Sequence, residues 1–241
     1  MTEPVVEAEN VTRILGAGAA QVTALKSVNL TLAGGRLAML MGPSGSGKTT
    51  LLSILGCLLA PTQGTVRVCG ISTEHASPER LAAIRRQHIG FVFQSFHLFP
   101  TLTAAENIRL ALDVRGERGA KAKAKSHEVL VRVGLAHRSA AFPRDLSGGE
   151  QQRIAIARAI VAEPAVVLAD EPTAALDGAN GQAIMSILSS IARERDRAVL
   201  VVTHDARLTG FADRIVHIED GCLMREERAD NSNLYQIRSR A

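Results

Sequence analysis

Apolar residues along the chain follow two alternating kinds of pattern. Continuous apolar runs at 37–41, 165–169 and 197–202 (the last opening on Arg197) read as strands buried on both faces. Segment 24–32 alternates instead, with Leu25, Val28, Leu30 and Leu32 apolar, as a half-buried strand does. Residues 3–10 alternate more loosely and read as a first strand ending near Val11. Shorter strands are expected at 65–68, 89–94 and 214–219. Helical spacing appears at 182–195, where Ile184, Ile187, Leu188 and Ile191 form one stripe. Further helical stretches are expected at 50–55, 79–86, 103–114, 126–135 and 151–161. Glycine and proline supply the punctuation: a Gly/Ala-rich loop at 12–22, a turn at Gly34-Gly35, and breaks at 61–64 and at Pro143. Residues 115–125 mix basic residues with Gly and Ala and read as a solvated helix or loop, and 225–241 as a polar, frayed tail.

Strands alternating with helices predict an α/β fold around an open sheet. In such a sheet, ligands meet the carboxyl ends of the strands. Those ends are polar in this chain: Gln94 after 89–93, Asp170-Glu171 after 165–169, and Thr203-His204-Asp205 after 197–202.

The chemistry centres on Gly42-Pro43-Ser44-Gly45-Ser46-Gly47-Lys48-Thr49, which fits G-x-x-x-x-G-K-[ST] at every fixed position between a buried strand and a helix start. Glycines let successive backbone N–H groups turn inward onto phosphate oxygens, and the helix N-terminus adds its positive end. Lys48 is suited to the β- and γ-phosphates and the Thr49 hydroxyl to Mg²⁺. Asp170 suits the Mg²⁺ shell, and Glu171 suits polarising an attacking water. His204, at another strand end of the same sheet, is a candidate ligand contact. A second glycine corner, Leu146-Ser147-Gly148-Gly149-Glu150, opens a helix with Ser147 as N-cap and Glu150 completing a capping box. Local physics leaves two readings there, a capped helix alone or an anion-binding corner. Phenylalanines crowd 93–100 and form either a local apolar cluster or a docking surface.

Composition narrows the classes. The 241 residues can bury a full core and carry a net charge of +4, an ordinary solvated surface. The longest apolar run, 51–60, is interrupted by Ser53 and Gly56 and falls short of the ~20 residues that span a bilayer. The first ten residues are acidic and unlike a secretion signal. Cys57, Cys69 and Cys222 lack metal-site spacing, and the basic run at 115–125 lacks the aromatics of a nucleic-acid surface.

Taken together, Gly42–Thr49 by motif, Gln94, Leu146-Ser147-Gly148-Gly149-Glu150, Asp170-Glu171, Leu176-Asp177 and His204 occur in the order and spacing of the ATP-binding cassette (ABC) ATPases. The chain resembles that superfamily over residues 3 to about 226. The segments 55–58, 89–96 and 100–107 resemble the ATPase subunits of lipoprotein-release, macrolide-export and heterocyst-glycolipid exporters. The resemblance implies a P-loop NTPase fold: a core with a mainly parallel sheet, an antiparallel β subdomain and a helical signature subdomain. An ATP-binding domain would span 1–225, with its core at 1–95 and 160–225, the helical part at about 96–159, and a polar tail at 226–241.

It also implies ATP and Mg²⁺ as ligands, and a head-to-tail dimer in which each nucleotide lies between one chain's phosphate loop (42–49, with Thr50) and the other's Ser147, Gly148, Gly149 and Glu150. By position, Glu171 would be the general base and His204 a switch at the γ-phosphate. Gln94 would join Thr49 and Asp170 around the metal and link the site to a transport partner, and Asp177 would sit at the dimer interface. The partners implied are a transmembrane permease, a second copy of the chain and, through the permease, a periplasmic adaptor, with no nucleic acid; the place implied is the cytoplasmic face of the inner membrane. Leu15 stands where such proteins usually have an aromatic residue on adenine, and Ala174 where they have Ser or Gly. Competing readings are a cell-division ATPase signalling through a membrane partner, a non-transport ABC ATPase acting on nucleic acid or ribosomes, and a nucleotide-binding module without turnover.

Overall fold

The computed structural model describes residues 4–194, 197–228 and 231–236. Two sheets organise the chain. The larger contains β3 (Arg36–Met41), β6 (Ile89–Val92), β7 (Val166–Asp170), β8 (Ala198–Thr203) and β9 (Arg214–Glu219), followed by β10 (Cys222–Arg228) and β11 (Asn231–Gln236). Its order is β11-β10-β9-β3-β8-β7-β6. The five strands from β9 to β6 pair in parallel, and β10 and β11 add antiparallel at one edge. The smaller, antiparallel sheet joins β1 (Pro4–Leu15), β2 (Val22–Ala33), β4 (Gln63–Val68) and β5 (Ile71–Ser72) in the order β2-β1-β4-β5.

The continuous apolar runs have a direct cause. Alternate residues of the central strands enter two separate cores, one on each sheet face. Leu37, Met39, Val167, Ala169, Val199 and Val201 pack on one side. Ala38, Leu40, Val166, Leu168, Leu200 and Val202 pack on the other. The first core is closed by α3 (Ala104–Asp113), α4 (Gly119–Arg132), α5 (Gly148–Ile160) and α6 (Gly178–Arg193). The second is closed by α1 (Lys48–Leu55), by α2 (Pro78–His88) through Ile84, and by the antiparallel sheet through Val6, Leu25, Leu30 and Val66. Helices α3, α4 and α5 all lie between β6 and β7 in the chain.

Four readings change. The first strand does not end near Val11: β1 runs to Leu15, because its outer half pairs with β2 at Arg13↔Leu25, Ile14↔Thr23 and Leu15↔Val22. Register shifts after Ala8 interrupt the alternation there, so the expected 12–22 loop shrinks to 16–21. Helix α4 begins at Gly119, so the helix alternative for 115–125 holds from there and joins the expected 126–135 helix; the join was hidden because the first buried positions are the small Ala122 and Ser126. The polar tail is structured where it is described. β10 pairs with β9, and its charges satisfy one another, with Glu226 accepting from Arg214 at 2.7 Å and from Arg228 at 2.8 Å. β11 pairs in turn with β10. The outer parts of three expected segments, Glu3 of the first strand, Arg195 of the 182–195 helix and 229–230 with 237–241 of the tail, lie outside the described residues.

Candidate nucleotide site

The parallel strands place their polar ends along one cleft of about 930 Å³. The loop from Gly42 to Gly47 joins β3 to α1 at its centre. Only glycine fits at two of its positions. At Gly42 a Cβ would lie 2.1 Å from the Ile218 carbonyl oxygen, and Gly47 takes φ +99° with a Cβ position 2.5 Å from the Ala24 carbonyl oxygen. Pro43, Ser44, Gly45, Gly47, Lys48, Thr49 and Thr50 line the cleft. Ser46 is buried beneath it, its N–H donating to Pro43 and its carbonyl accepting from Gly221. Lys48 is also largely buried, and its Nζ donates to the carbonyls of Gly42 at 2.8 Å and Pro43 at 2.7 Å. Those two bonds hold an ammonium against the loop, where it can exchange carbonyl partners for phosphate oxygens.

Asp170 ends β7 within reach of α1, and Thr49 Oγ1 donates to its Oδ1 at 3.4 Å. Burial chiefly pushes the Asp170 carboxyl above its usual range, with Glu171 adding to the rise; the Thr49 hydroxyl and Lys48 oppose it. Glu171 follows at φ +46°, a left-handed conformation that costs a non-glycine residue on the order of 1–3 kcal/mol. Its N–H is kept on the sheet by donating to Val202 O at 2.9 Å, while its Oε1 meets His204 Nδ1 at 2.8 Å. Gln94, two residues past β6, lines the same cleft with Glu171, Ala174 and His204. On the side of the antiparallel sheet, Leu15, Val22, Thr23 and Ala24 complete the wall.

The second glycine corner lies elsewhere. Ser147 caps α5, its Oγ accepting from Glu150 N at 3.3 Å while Glu150 Oε2 accepts from Ser147 N at 2.8 Å. Those bonds hold the Glu150 carboxyl below its usual value. Ser147 itself is exposed. Gly149 packs on the start of α6, where a Cβ would sit 2.7 Å from Asn180 Oδ1. Asp177 caps α6 by accepting from Asn180 N at 2.9 Å and Asn180 Nδ2 at 2.8 Å. Ser147, Gly148, Gly149, Glu150 and Asp177 are not among the described residues that line the cleft of their own chain. Helix α5 nevertheless reaches that cleft indirectly. Gln152 Nε2 donates to Pro172 O at 2.7 Å, next to Glu171, and Arg158 donates to Phe96 O and His97 O in the loop after Gln94.

No group of three or more His, Cys, Asp or Glu side chains with metal-site geometry exists among the described residues. Mg²⁺ is ordinarily held by one or two protein oxygens together with phosphates and water. The hard-oxygen pair Thr49 and Asp170, with the Gln94 amide in the same cleft, fits such an ion.

A family model described as ABC transporter matches residues 25–174. The chain belongs to the ABC transporter family. Among ABC relatives it is 44% identical over 222 residues to the lipoprotein-releasing system ATP-binding protein LolD of Bordetella pertussis, covering 92% of this chain and 96% of that one. It is 43% identical over 227 residues to the macrolide export ATP-binding/permease protein MacB of Salmonella typhi, covering 94% of this chain and 35% of MacB, so it spans about a third of that relative. Among solved structures, the dimeric ATP-binding cassette MJ0796 in a post-hydrolysis state with ADP and Pi matches with a TM-score of 0.84 and 43% identity, covering 92% of this chain and 98% of that one. This ABC chain thus has the α/β cassette fold expected from its motifs, with a mainly parallel sheet and a separate antiparallel one.

The motif residues in the phosphate loop and at the strand ends were readable from their types. Val22, Thr23, Ala24, Lys26, Asp220 and Gly221 were missed as parts of the cleft. Gly221 O accepts from Lys26 N and its N–H donates to Ser46 O, a brace set by strand register alone. Asn180 was missed too, although an Asp followed three residues later by Asn at a helix start is a capping signal.

Proposed function

We propose that the chain is the ATP-binding and hydrolysing subunit of an exporter of the lipoprotein-release or macrolide-export type. Two copies would pair head to tail around two ATP molecules and drive a separate membrane permease. The observation that carries this reading is the split between the two glycine corners. One chain presents a phosphate cleft with acids at its edge, while its exposed capped helix, with Ser147 outermost, lies outside that cleft. An exposed helix N-terminus attracts anions, and a second copy would bring it to the terminal phosphate.

In this reading the loop N–H groups, Lys48 and Thr50 hold the phosphates. Glu171 accepts a proton from the attacking water through its carboxylate. His204 faces that carboxylate through Nδ1, and contact with the γ-phosphate as well needs an N–H on each ring nitrogen, since both partners are acceptors. Mg²⁺, held by Thr49, Asp170 and Gln94, would neutralise charge on the phosphate oxygens. Partner Ser147 and the N–H groups of Gly148 and Gly149 complete the anion shell in trans, with Asp177 beside them at the interface and Glu150 keeping Ser147 in place.

A groove of about 440 Å³ beside the loop after Gln94 supports a permease partner. Phe91, Phe93, Phe99, Leu110 and Val114 line it, with Phe99 55% and Val114 65% exposed. Arg158 ties that loop to α5, which would link docking to the nucleotide site. No described helix is long and apolar enough to cross a membrane. In this reading the chain works with a permease at the cytoplasmic face of the inner membrane. Glu171→Gln tests the function. Turnover should fall by about two orders of magnitude or more, and an ATP-dependent dimer should accumulate on size exclusion. Hydrolysis at the wild-type rate would remove the base assignment.

A further inference from the structure

The cleft differs in chemistry along its length. Glu171 and His204 mark one part, the phosphate loop the middle, and Leu15, Val22, Thr23 and Ala24 the wall formed by the antiparallel sheet. A triphosphate whose terminal phosphate faces Glu171 must lay its base toward that wall. Leu15 and Val22 are register partners across β1 and β2, and the two residues are 38% and 63% exposed. No Phe, Tyr or Trp occurs among the described residues that line the cleft, and the imidazole there, His204, is engaged with Glu171. The base therefore meets a branched aliphatic surface rather than an aromatic face.

Such a surface offers contact to any base. It lacks the π-face whose stacking rewards the larger purine rings. The side-chain polar groups on this side of the cleft are the Thr23 hydroxyl, the Lys26 ammonium and the Asp220 carboxylate, all on exposed residues. A rotating hydroxyl, a cation on a flexible stem and a water-exposed carboxylate do not fix the donor–acceptor pattern of one base. The phosphate loop, meanwhile, binds a part common to all nucleoside triphosphates. We infer that this chain is a base-tolerant nucleoside triphosphatase, taking GTP, CTP and UTP at the same site as ATP with similar efficiency, and that Leu15 sets this tolerance.

The inference rests on the turnover proposed above, so two measurements separate them. The first is phosphate release by the purified full chain with the Mg²⁺ salts of ATP, GTP, CTP and UTP. The second is displacement of trinitrophenyl-ATP by each nucleotide, which needs no turnover. The expected result is a spread in kcat/KM, and in displacement constants, of less than about tenfold. In Leu15→Tyr, purine KM values should fall about three- to tenfold and a gap should open between purines and pyrimidines, because stacking now favours the larger ring. A wild-type preference for ATP of tenfold or more would overturn the inference, as would unchanged ratios in Leu15→Tyr. Equal displacement without any hydrolysis would sink the turnover reading and leave base tolerance standing.

Discussion

Glu171 and His204 stand one residue beyond the ends of neighbouring parallel strands, and their side chains meet at 2.8 Å between Oε1 and Nδ1. The backbone prepares the meeting. Asp170 pairs with Val202 in register, and the next residue turns into the left-handed region while its N–H stays bonded to Val202 O. A strained position at a strand end is thus held by the sheet itself. If this contact orients the carboxylate, His204→Ala should lower kcat for ATP by about 10²-fold, the lower range for acid–base groups. The KM should change far less, since the phosphate loop is untouched. Steady-state phosphate release checks this; a raised KM with unchanged kcat would mean that His204 only binds.

The contact between Gly149 and Asn180 predicts a coupled pair. Gly149→Ala places a methyl 2.7 Å from Asn180 Oδ1, an overpacking that costs about 1–3 kcal/mol. Asn180→Ala removes the obstacle along with the Nδ2 bond to Asp177, and leaves the backbone cap bond in place. In urea unfolding, the double variant should be more stable than the sum of the two single losses by at least about 0.5 kcal/mol. Simple additivity would show that the two helix starts do not press on each other.

The Phe99 and Val114 groove predicts a separable defect. Phe99→Asp puts a charge on an exposed docking face while leaving the cleft intact. ATPase of the isolated chain should stay within about twofold of wild type, as surface changes usually leave the fold alone. Recovery of a membrane protein from detergent extracts by the tagged chain should be lost. Undiminished recovery would place the partner on another face.

His88 predicts a pH dependence of stability. Burial, and then the Arg115 guanidinium, hold its pKa below the ordinary 6.5, and its Nε2 is buried without a bond. The unfolded chain therefore binds this proton more readily than the folded one. Its contribution is present above about pH 6.5 and is lost as pH falls through the lowered value. The melting temperature should drop between pH 7.5 and 5.5, and His88→Gln should flatten that slope. Equal slopes in both proteins would assign the acid sensitivity elsewhere, with His217, lowered in the same direction by burial and Arg225, the next to test.

The central strands were legible because both faces are buried, which leaves runs such as 166–169 and 198–202 without a polar interruption. The phosphate loop, Gln94, Glu171 and His204 were legible as neighbours because the carboxyl ends of parallel strands open on one cleft. The outer half of β1 was hidden by its register shifts, and the start of α4 by the small size of Ala122 and Ser126. β10 was hidden because its charges are satisfied by one another and not by water alone. Within the site, no local pattern could reveal that the glycine corner at 147–150 packs on Asn180, away from its own chain's cleft. That separation is a property of the folded chain, and it is what makes a second copy necessary to the proposed chemistry.

A crystal structure of the Glu171→Gln chain with Mg-ATP tests the paired site most directly. The account predicts a head-to-tail dimer with Ser147 Oγ of each copy within about 3.2 Å of a terminal-phosphate oxygen held by the other copy's phosphate loop. A nucleotide bound with Lys48 on its phosphates and Ser147 of every neighbour more than about 10 Å away, beyond any bridging water, would contradict it.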